Sequence, residues 1–404
     1  MIPKHCSCLQ AGDYFAYFGS MLTARKEQEC SMTAVWGHLF HRQRLFPTPT
    51  GRHALWYFLE RIDLQAGDEV LIAAYNFYVI VRLVVQKGLV PVFVDIDPET
   101  LCLDSQDLAQ KVTDRSRLVI VTHMFGNPAN MTEIGAICRQ HELLLFEDCA
   151  HGVGTLWETE QVGQAGDGAL FSFGVEKLIN TFGGGMLVLS DRLAAGYSPP
   201  PHPVSKLTSF VDTFARCIRS VLTAPRLYGW TLYPATRLGE WTLPQLREWI
   251  IPAKDDPDYR FVNRSRAPFK PFMKQMQTLQ LARLVENIAR RRDIIQQIKT
   301  GLSHIAEIRF LDEDKHGRSN GSYFGLYVPD PAALTRHLAR HGIGSNPQEY
   351  YDCAALAQFS AYRPPCLHAG YASDHLLRLP SYPWLRPAEI EHIGTTIGAF
   401  FGHG

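Results

Sequence analysis

Residues 118–150 read LVIVTHMFGNPANMTEIGAICRQHELLLFEDCA and contain one unit of strand, helix and strand. The apolar runs at 118–126 and 143–150 are rich in β-branched and aromatic residues, as buried strands are. Between them, residues 131–141 carry apolar side chains at helical spacing. This order predicts two parallel strands joined by a crossover helix, in a sheet that helices cover on both faces.

The same alternation extends outward over residues 45–191. Further apolar runs bounded by Gly, Asp or Pro predict strands at 70–75, 91–97, 168–174 and 185–191. Helical spacing predicts further helices at 53–61, 78–86 and 105–112. We therefore expect an α/β fold whose large domain contains a mainly parallel sheet. Ligands bind such sheets at the carboxyl ends of the strands, where this chain places Asn76, Phe77, His123, Glu147, Asp148 and Ser172.

Composition shifts divide the chain into three parts. An N-terminal segment covers residues 1–45, a large domain covers 46–265, and a small C-terminal α+β domain covers 266–404. Within the large domain, an insert at about 192–265 opens with three prolines and holds an apolar stripe at helical spacing. The stripe is expected to pack against the domain or a second subunit, and a membrane surface is the less favoured alternative.

The small domain should begin with one long helix at 275–300. Its run of three arginines, 290–292, is expected to face solvent. Further helices are predicted at 331–341 and 387–401, with strands at 323–328 and 376–379. The first residues, with Cys6 and Cys8, are expected to form a flexible terminus.

Composition excludes several classes of function. Lys plus Arg and Asp plus Glu are each 40 in 404 residues, and this balance argues against nucleic acid as the main partner. Apolar residues make up 46% and charged residues 20%, as in ordinary globular proteins. No run is long enough for a membrane span, and no signal peptide is evident. We therefore expect a cytoplasmic protein with nine reduced cysteines and no metal site.

Thr50-Gly51-Arg52 leads directly into a predicted helix. A helix start offers backbone N–H groups and a positive dipole end, which suit a phosphate. Gly51 permits close approach of the backbone, and Thr50 could donate its hydroxyl. The alternative is that Thr50 is a plain N-cap.

A second motif, FEDCAH at residues 146–151, follows a predicted strand. A carboxylate such as that of Asp148, held in a low-dielectric crevice, requires a cationic partner. The protonated ring nitrogen of a cofactor would supply one. The alternative is that Asp148 caps the following turn.

The third motif is SFGVEK at residues 172–177, followed by three glycines at 183–185. Lys177 leaves a strand end in a segment with little other charge, where desolvation would lower its pKa. An uncharged amine attacks carbonyl groups. Ser172 is placed to bond a phosphate. The alternative for Lys177 is a solvated surface lysine.

Together these residues provide a phosphate cradle, a carboxylate, a lysine amine and the aromatic plane of Phe77. Pyridoxal 5′-phosphate requires this set: a phosphate anchor, a stacking face, a partner for the pyridinium nitrogen and a lysine amine.

With these motifs, the sequence resembles a known family, the DegT/DnrJ/EryC1/StrS aminotransferases of the fold-type I pyridoxal-phosphate enzymes. The stretches that carry the resemblance include GDEVLIAAYNF, PVFVDIDPETLCLD, VTHMFGNPANM, LLLFEDCAHGVG, GGGMLVLSD and LRLPSYPWLRPAEI. The resemblance implies a Schiff base between the cofactor and Lys177, and Asp148 as the partner of the pyridine nitrogen. It also implies His151 near the phenolic oxygen, Phe77 stacked on the ring, and Ser172 and Gly51 at the phosphate.

The resemblance further implies a homodimer in which the neighbouring chain completes the phosphate pocket. The implied activity is ping-pong transfer of an amino group from L-glutamate, or a similar donor, to the keto group of a sugar or nucleotide sugar. A cyclitol, a lipid-linked or other secondary-metabolite ketone or aldehyde, and a non-catalytic regulatory role remain alternatives. Arg378 is a candidate contact for the donor carboxylate.

Two local departures from the family pattern stand out. Arg52 replaces a usual Thr and would either pair with the phosphate or point to solvent. The usual Asn-x-Arg-Met is absent before Met273, where Asn263, Arg266 or Lys270 could substitute. The long insert lies where it could shape the substrate entrance. It therefore leaves open whether the substrate is the family's usual nucleotide sugar.

Overall fold

A computed structural model describes residues 1–6, 9–22, 32–40, 43–200, 271–347, 350–362 and 366–402, together with Phe214, Cys217, Ile218 and Val221. The remainder of the predicted stripe in the insert lies outside the described residues, as do Cys8, Asn263, Arg266 and Lys270. Among the residues described, no helix is both long and apolar enough to cross a bilayer.

A seven-stranded sheet forms the centre of the fold, and its strand order is β1-β10-β9-β6-β5-β2-β4. The strands β9, β6, β5, β2 and β4 run parallel, while β10 and the edge strand β1 are antiparallel to their neighbours. The predicted α/β fold with a mainly parallel sheet is therefore confirmed. The strands are β1 Gln43–Thr48, β2 Glu69–Ala73, β4 Val90–Val94, β5 Ser116–Thr122, β6 Leu144–Asp148, β9 Gly168–Ser172 and β10 Gly185–Ser190.

Three short strands lie outside this sheet but within the same part of the chain, namely β3 Tyr75–Asn76, β7 Leu156–Trp157 and β8 Glu160–Gln161. The helices here are α1 Ala11–Leu22, α2 Thr33–Trp36, α3 Gly51–Arg61, α4 Tyr78–Gln86, α5 Ser105–Lys111, α6 Met131–Gln140 and α7 Asp191–Ala194. Side-chain caps set where several helices begin. Asp104 accepts from first-turn N–H groups of α5, and Asn130 accepts from one first-turn N–H of α6. Each residue of β2 is buried, because helices cover both sheet faces.

The C-terminal part contains a second, smaller sheet in the antiparallel order β11-β13-β15. Its elements are α8 Pro271–Leu281, α9 Leu284–Leu302, β11 Arg309–Phe310, β12 Gly317–Arg318, β13 Phe324–Tyr327, α10 Pro331–Arg340, β14 Tyr351–Asp352, α11 Leu367–His375, β15 Leu376–Leu379 and α12 Pro387–Phe400. Buried side chains of α9, α10, α12 and this sheet form a core of their own. The domain boundaries at 45/46 and 265/266 stay predictions.

The predicted single helix at 275–300 is wrong, because α8 ends at Leu281 and α9 begins at Leu284. Arg283 separates them, and its guanidinium pairs with the buried carboxylate of Asp13 on α1. The tertiary ion pair fixes a break that helical spacing alone does not show.

The prediction that residues 290–292 face solvent is also wrong for Arg291. This side chain is buried and donates to backbone carbonyls, including that of Ser381. Its neighbour Arg292 binds the carboxylate of Glu313. The groups that bind these two guanidinium groups, a backbone carbonyl and a carboxylate, come from other segments of the chain.

The first residues are held in place, contrary to the expected flexible terminus. Ile2 pairs with Ile343 as an isolated bridge, and its N–H donates to the Gly342 carbonyl. Ile2 and Cys6 are buried in the C-terminal core. The start of the chain therefore packs on its C-terminal part.

Candidate active site

A cavity of about 270 Å³ opens at the carboxyl ends of the central parallel strands. A water molecule occupies about 30 Å³ in the liquid, so the space suits a small organic molecule. The structure brings all eight residues predicted to bind the cofactor to its wall: Thr50, Gly51, Arg52, Phe77, Asp148, His151, Ser172 and Lys177. Their chemical roles remain predictions.

The start of α3 forms one end of the cavity and packs closely against the sheet. A Cβ on Gly51 would lie 3.1 Å from Ser172 Cβ and 3.2 Å from Leu170 Cδ1, so the position has little room for a side chain. Thr50 Oγ1 accepts from the backbone N–H of His53 and therefore serves as the N-cap. The first-turn N–H groups beyond the cap have no acceptor within the helix, which makes this end suitable for an anion.

Asp148 ends β6 and places a buried carboxyl group at the cavity. Its Oδ1 accepts from the Ala150 N–H at 2.9 Å. Burial raises the pKa of Asp148, and the Ala150 hydrogen bond together with the charge of Lys177 opposes that rise. A carboxylate in this position is stabilised by an additional cation, such as a protonated ring nitrogen.

Lys177 lies on the loop between β9 and β10. Its backbone N–H donates to the Gly174 carbonyl. Further along the loop, Phe182, Gly183 and Gly184 all adopt positive φ, which returns the chain sharply to β10. From the C-terminal part, the Tyr323 hydroxyl donates to the Glu176 carbonyl. The backbone is therefore fixed on both sides of the lysine.

Aromatic side chains form the opposite wall. The Tyr350 hydroxyl lies 3.0 Å from His151 Nε2, and the Tyr323 ring meets the His151 ring edge-on at 4.6 Å. Phe77 contacts Tyr350 edge-on, with 6.2 Å between centroids. Sequence reasoning missed Tyr323 and Tyr350 as site residues. Tyr323 begins a predicted strand, but local spacing does not show that its ring faces a loop more than a hundred residues earlier.

Other cavity residues anchor the ends of β3 and β5. The Asn76 amide donates to the Thr122 hydroxyl at 3.1 Å. The Asn76 Oδ1 accepts from the Phe77 N–H at 2.7 Å and so positions the backbone of that aromatic residue. Strand-end position identified Asn76 as a candidate, whereas Thr122 was not singled out.

His123, one of the candidates at the strand ends, has a structural role. Its Nδ1 accepts from the Ala129 N–H, so Nε2 carries the proton and donates to Glu147 at 3.0 Å. The Glu147 carboxylate also accepts the N–H groups of Gly163, Ala165 and Gly166. Burial acts to raise the pKa of Glu147, but these hydrogen bonds outweigh it and hold that pKa below its usual range.

The hydrogen bonds of His123 and Glu147 also argue against a metal site here. His123, Glu147 and Cys149 lie close enough to share an ion. Both imidazole nitrogens and both carboxylate oxygens are already engaged with protein groups, so the set forms a hydrogen-bond network.

Arg378 lies behind the aromatic wall. The side chain is buried, and its guanidinium stacks over the Tyr323 ring at 4.3 Å. Arg378 is not among the residues that line the cavity. Contact between Arg378 and a donor carboxylate stays a prediction.

The sequence matches the model of the DegT/DnrJ/EryC1/StrS aminotransferase family over residues 40–197 and 273–398. The chain belongs to this family. The unmatched residues between the two segments coincide closely with the insert predicted at about 192–265.

Curated relatives match over parts of their length. They are a pleiotropic regulatory protein of Geobacillus stearothermophilus (32% identical, 45% of this chain, 51% of the relative), a GDP-perosamine synthase of Escherichia coli O157:H7 (32%, 38%, 42%) and an L-glutamine:2-deoxy-scyllo-inosose aminotransferase of Streptomyces kanamyceticus (32%, 39%, 37%). The chain thus spans about half or less of the length of these relatives.

Solved structures match the whole chain. The sugar aminotransferase CalS13 from Micromonospora echinospora superposes with a TM-score of 0.74 at 20% identity, covering 99% of this chain and all of the other. This similarity confirms the fold that the resemblance implied.

Proposed function

We propose that this protein is a pyridoxal-phosphate-dependent aminotransferase. It moves an amino group from L-glutamate, or a similar donor, to the keto group of a sugar or nucleotide sugar. The observation that carries the proposal is the meeting of three features in one cavity: the Lys177 amine, the buried Asp148 carboxyl group and the start of α3.

The donor set of the cavity fits the cofactor. The buried carboxyl group matches the ring nitrogen of the cofactor, because each requires a partner of opposite charge. The start of α3, with little room for a side chain at Gly51, suits the phosphate, and an aromatic ring suits the flat face. Asp148 would hold the ring nitrogen, Gly51 and Ser172 the phosphate, Phe77 the face, and Lys177 the aldehyde. When bound, the cofactor supplies an aldehyde that exchanges amines and a ring that accepts electrons.

The residues of the chain then have separate tasks. Lys177 Nζ takes the proton from the α-carbon of the donor and later delivers a proton to the former carbonyl carbon of the acceptor. Asp148 keeps the proton on the ring nitrogen. Both half-reactions use the same cavity, so the keto acid formed from the donor leaves before the acceptor enters. Ping-pong kinetics follow from this order.

Keto-cyclitols form a second candidate class of acceptor. The relative from Streptomyces kanamyceticus is named for an inosose, whereas the one from Escherichia coli is named for perosamine. The name of the Streptomyces kanamyceticus relative also makes L-glutamine a donor to compare with L-glutamate. A non-catalytic regulatory role is the remaining alternative, which the name of the Geobacillus stearothermophilus relative supports. The proposal includes a homodimer, as family membership suggests, and sedimentation would test it.

Substitution of the lysine tests the proposal. Lys177→Ala should abolish release of 2-oxoglutarate from L-glutamate, and borohydride should fix the cofactor to Lys177 in the wild type only. Lys87→Ala is the matched control, because Lys87 pairs with Glu60 on the surface. Full activity of Lys177→Ala would refute the role of the lysine. A wild-type protein that binds no pyridoxal phosphate would refute the proposed function.

A further inference from the structure

The loop that follows Lys177 connects two ends of the cavity. Gly183 and Gly184 line the cavity together with the lysine. Gly184 also forms an isolated parallel bridge with Thr50, the N-cap residue of α3. The conformation of the residues between Lys177 and Gly184 therefore sets where the lysine lies relative to the start of α3.

Phe182 lies at the turn of this loop. Its φ is 60°, in the left-handed region where any residue with a Cβ is strained. Its N–H donates to the Asn180 Oδ1 at 2.8 Å, and the N–H groups of Thr181 and Gly183 both donate to the Phe173 carbonyl. A glycine at position 182 would adopt the same turn without strain. The turn itself therefore does not require the phenyl ring.

The ring of Phe182 packs on the N-terminal helix α1. It meets the Tyr17 ring edge-on with 5.3 Å between the centroids, and the Tyr14 ring lies 6.3 Å away. Phe182 and Tyr17 are both buried, in a small apolar cluster that includes Met276 of α8. Aromatic contacts of this kind stabilise a pair beyond the apolar area that they bury. The packing of the ring thus offsets the strain of the backbone.

Helix α1 is anchored independently of the loop. The buried carboxylate of Asp13 pairs with Arg283, which lies between α8 and α9. The same carboxylate accepts the Gln10 N–H at 2.7 Å at the start of the helix. Among the described residues that line the cavity, none belongs to α1. The helix can therefore act on the site only through the loop that it contacts.

We propose that α1 positions the lysine: Tyr17 holds the Phe182 ring, the ring holds the left-handed turn, and the turn fixes Lys177 relative to the start of α3. Tyr17 and Phe182 are then positioning residues. The inference rests on the proposed function, because the group whose placement matters is the Lys177 amine. A displacement of about 1 Å at a reacting group can slow a reaction roughly a hundredfold, so even a slight loosening of the loop is measurable.

Two substitutions delete the contact from either side. Tyr17→Ala and Phe182→Ala each remove one ring, and the second keeps the strain at φ 60°. We expect the Thr181 and Gly183 N–H groups to exchange with deuterium roughly tenfold faster in each variant, whereas the amides of β5 keep their wild-type rates. We also expect kcat to fall roughly tenfold per folded molecule at an unchanged KM for the donor, because Lys177 moves a proton in both half-reactions.

Phe15→Ala is the matched control for these variants. Phe15 lies on the same helix, but its side chain is 75% exposed and does not belong to the cluster around Phe182. This variant should keep both the wild-type exchange of the loop and the wild-type kcat. The double variant of Tyr17→Ala and Phe182→Ala should be no slower than either single variant, because each deletes the same contact. If Tyr17→Ala does not fold, Tyr17→Leu removes the ring and keeps much of the apolar volume.

The outcomes separate the two proposals. Deuterium exchange is measured on the protein without cofactor, so it decides whether α1 holds the loop even if the wild type binds no pyridoxal phosphate, a result that contradicts the proposed function. Wild-type exchange of the loop in Tyr17→Ala and Phe182→Ala overturns the positioning role. Faster exchange in β5 as well as in the loop also overturns it, because α1 would then only stabilise the fold. Additive losses of kcat in the double variant overturn it too, since the two rings would then act separately.

Discussion

Gln280 on α8 exchanges two hydrogen bonds with the backbone of Asn180, three residues beyond Lys177. Its Oε1 accepts from the Asn180 N–H and its Nε2 donates to the Asn180 carbonyl, each at 2.8 Å. Both residues are fully buried. The Asn180 side chain in turn accepts from the Phe182 N–H and donates to the Val175 carbonyl. One side chain of α8 thus holds the loop that presents the lysine.

Replacing Gln280 should loosen that loop. Gln280→Leu keeps the approximate volume but leaves a buried N–H and carbonyl of Asn180 without these partners, at a cost of about 1–3 kcal/mol. We expect a lower melting temperature and a transfer rate reduced roughly tenfold per folded molecule.

Gln277→Leu provides the control, since Gln277 lies one turn earlier and is equally buried. It accepts from the Trp36 indole and does not bond the loop. This variant should lose stability but keep its rate. Equal loss of rate in both variants would contradict the role given to Gln280.

The close approach at Gly51 should govern binding of the phosphate. Gly51→Ala would place a Cβ 3.1 Å from Ser172 Cβ, so the start of α3 and the end of β9 must move apart. We expect affinity for pyridoxal phosphate to fall roughly tenfold, which corresponds to about 1.4 kcal/mol. Fluorescence titration of the cofactor-free protein measures this.

Gly301→Ala is the matched control, because Gly301 lies within α9 and a Cβ there has no neighbour within 4 Å. It should leave binding unchanged and stabilise the helix by about 0.5–1 kcal/mol. Wild-type affinity in Gly51→Ala would show that the cradle lies elsewhere.

Asp148 should oppose stability in the absence of cofactor. Burial raises the pKa of this carboxyl group in the folded protein. The pKa of an Asp carboxyl group in the unfolded chain is about 3.9. When the pKa in the folded protein is higher, the free energy of unfolding falls as pH rises from the unfolded value, and the loss is complete above the folded value. Asp148→Asn removes this cost and can still accept from the Ala150 N–H.

We therefore expect Asp148→Asn to melt roughly 1–3 °C above the wild type at pH 7 without cofactor. The difference should shrink as pH falls toward 4, and amino transfer should be orders of magnitude slower. Calorimetry between pH 4 and 7 measures the first effect. A variant less stable than wild type throughout this range would show that the ionised carboxylate is well compensated by the protein alone.

The sequence alone predicted the central sheet and the motifs at its edge. Strands covered on both faces leave continuous apolar runs, and the helix predicted at 78–86 coincides with α4. Because parallel strands end at one edge, motifs that follow β6 and β9 had to meet there. The predicted residues Asp148 and Lys177 accordingly line the same cavity.

Tertiary structure alone decided what holds those residues in place. Gln280, Tyr323 and Tyr350 contact loops of the earlier part of the chain across separations of a hundred residues or more. Local spacing reports which face of a strand or helix is buried, and it carries no information on which distant polar group a side chain meets. The break at Arg283 and the burial of Arg291 arise in the same way, since each guanidinium bonds to groups that only the folded chain brings near.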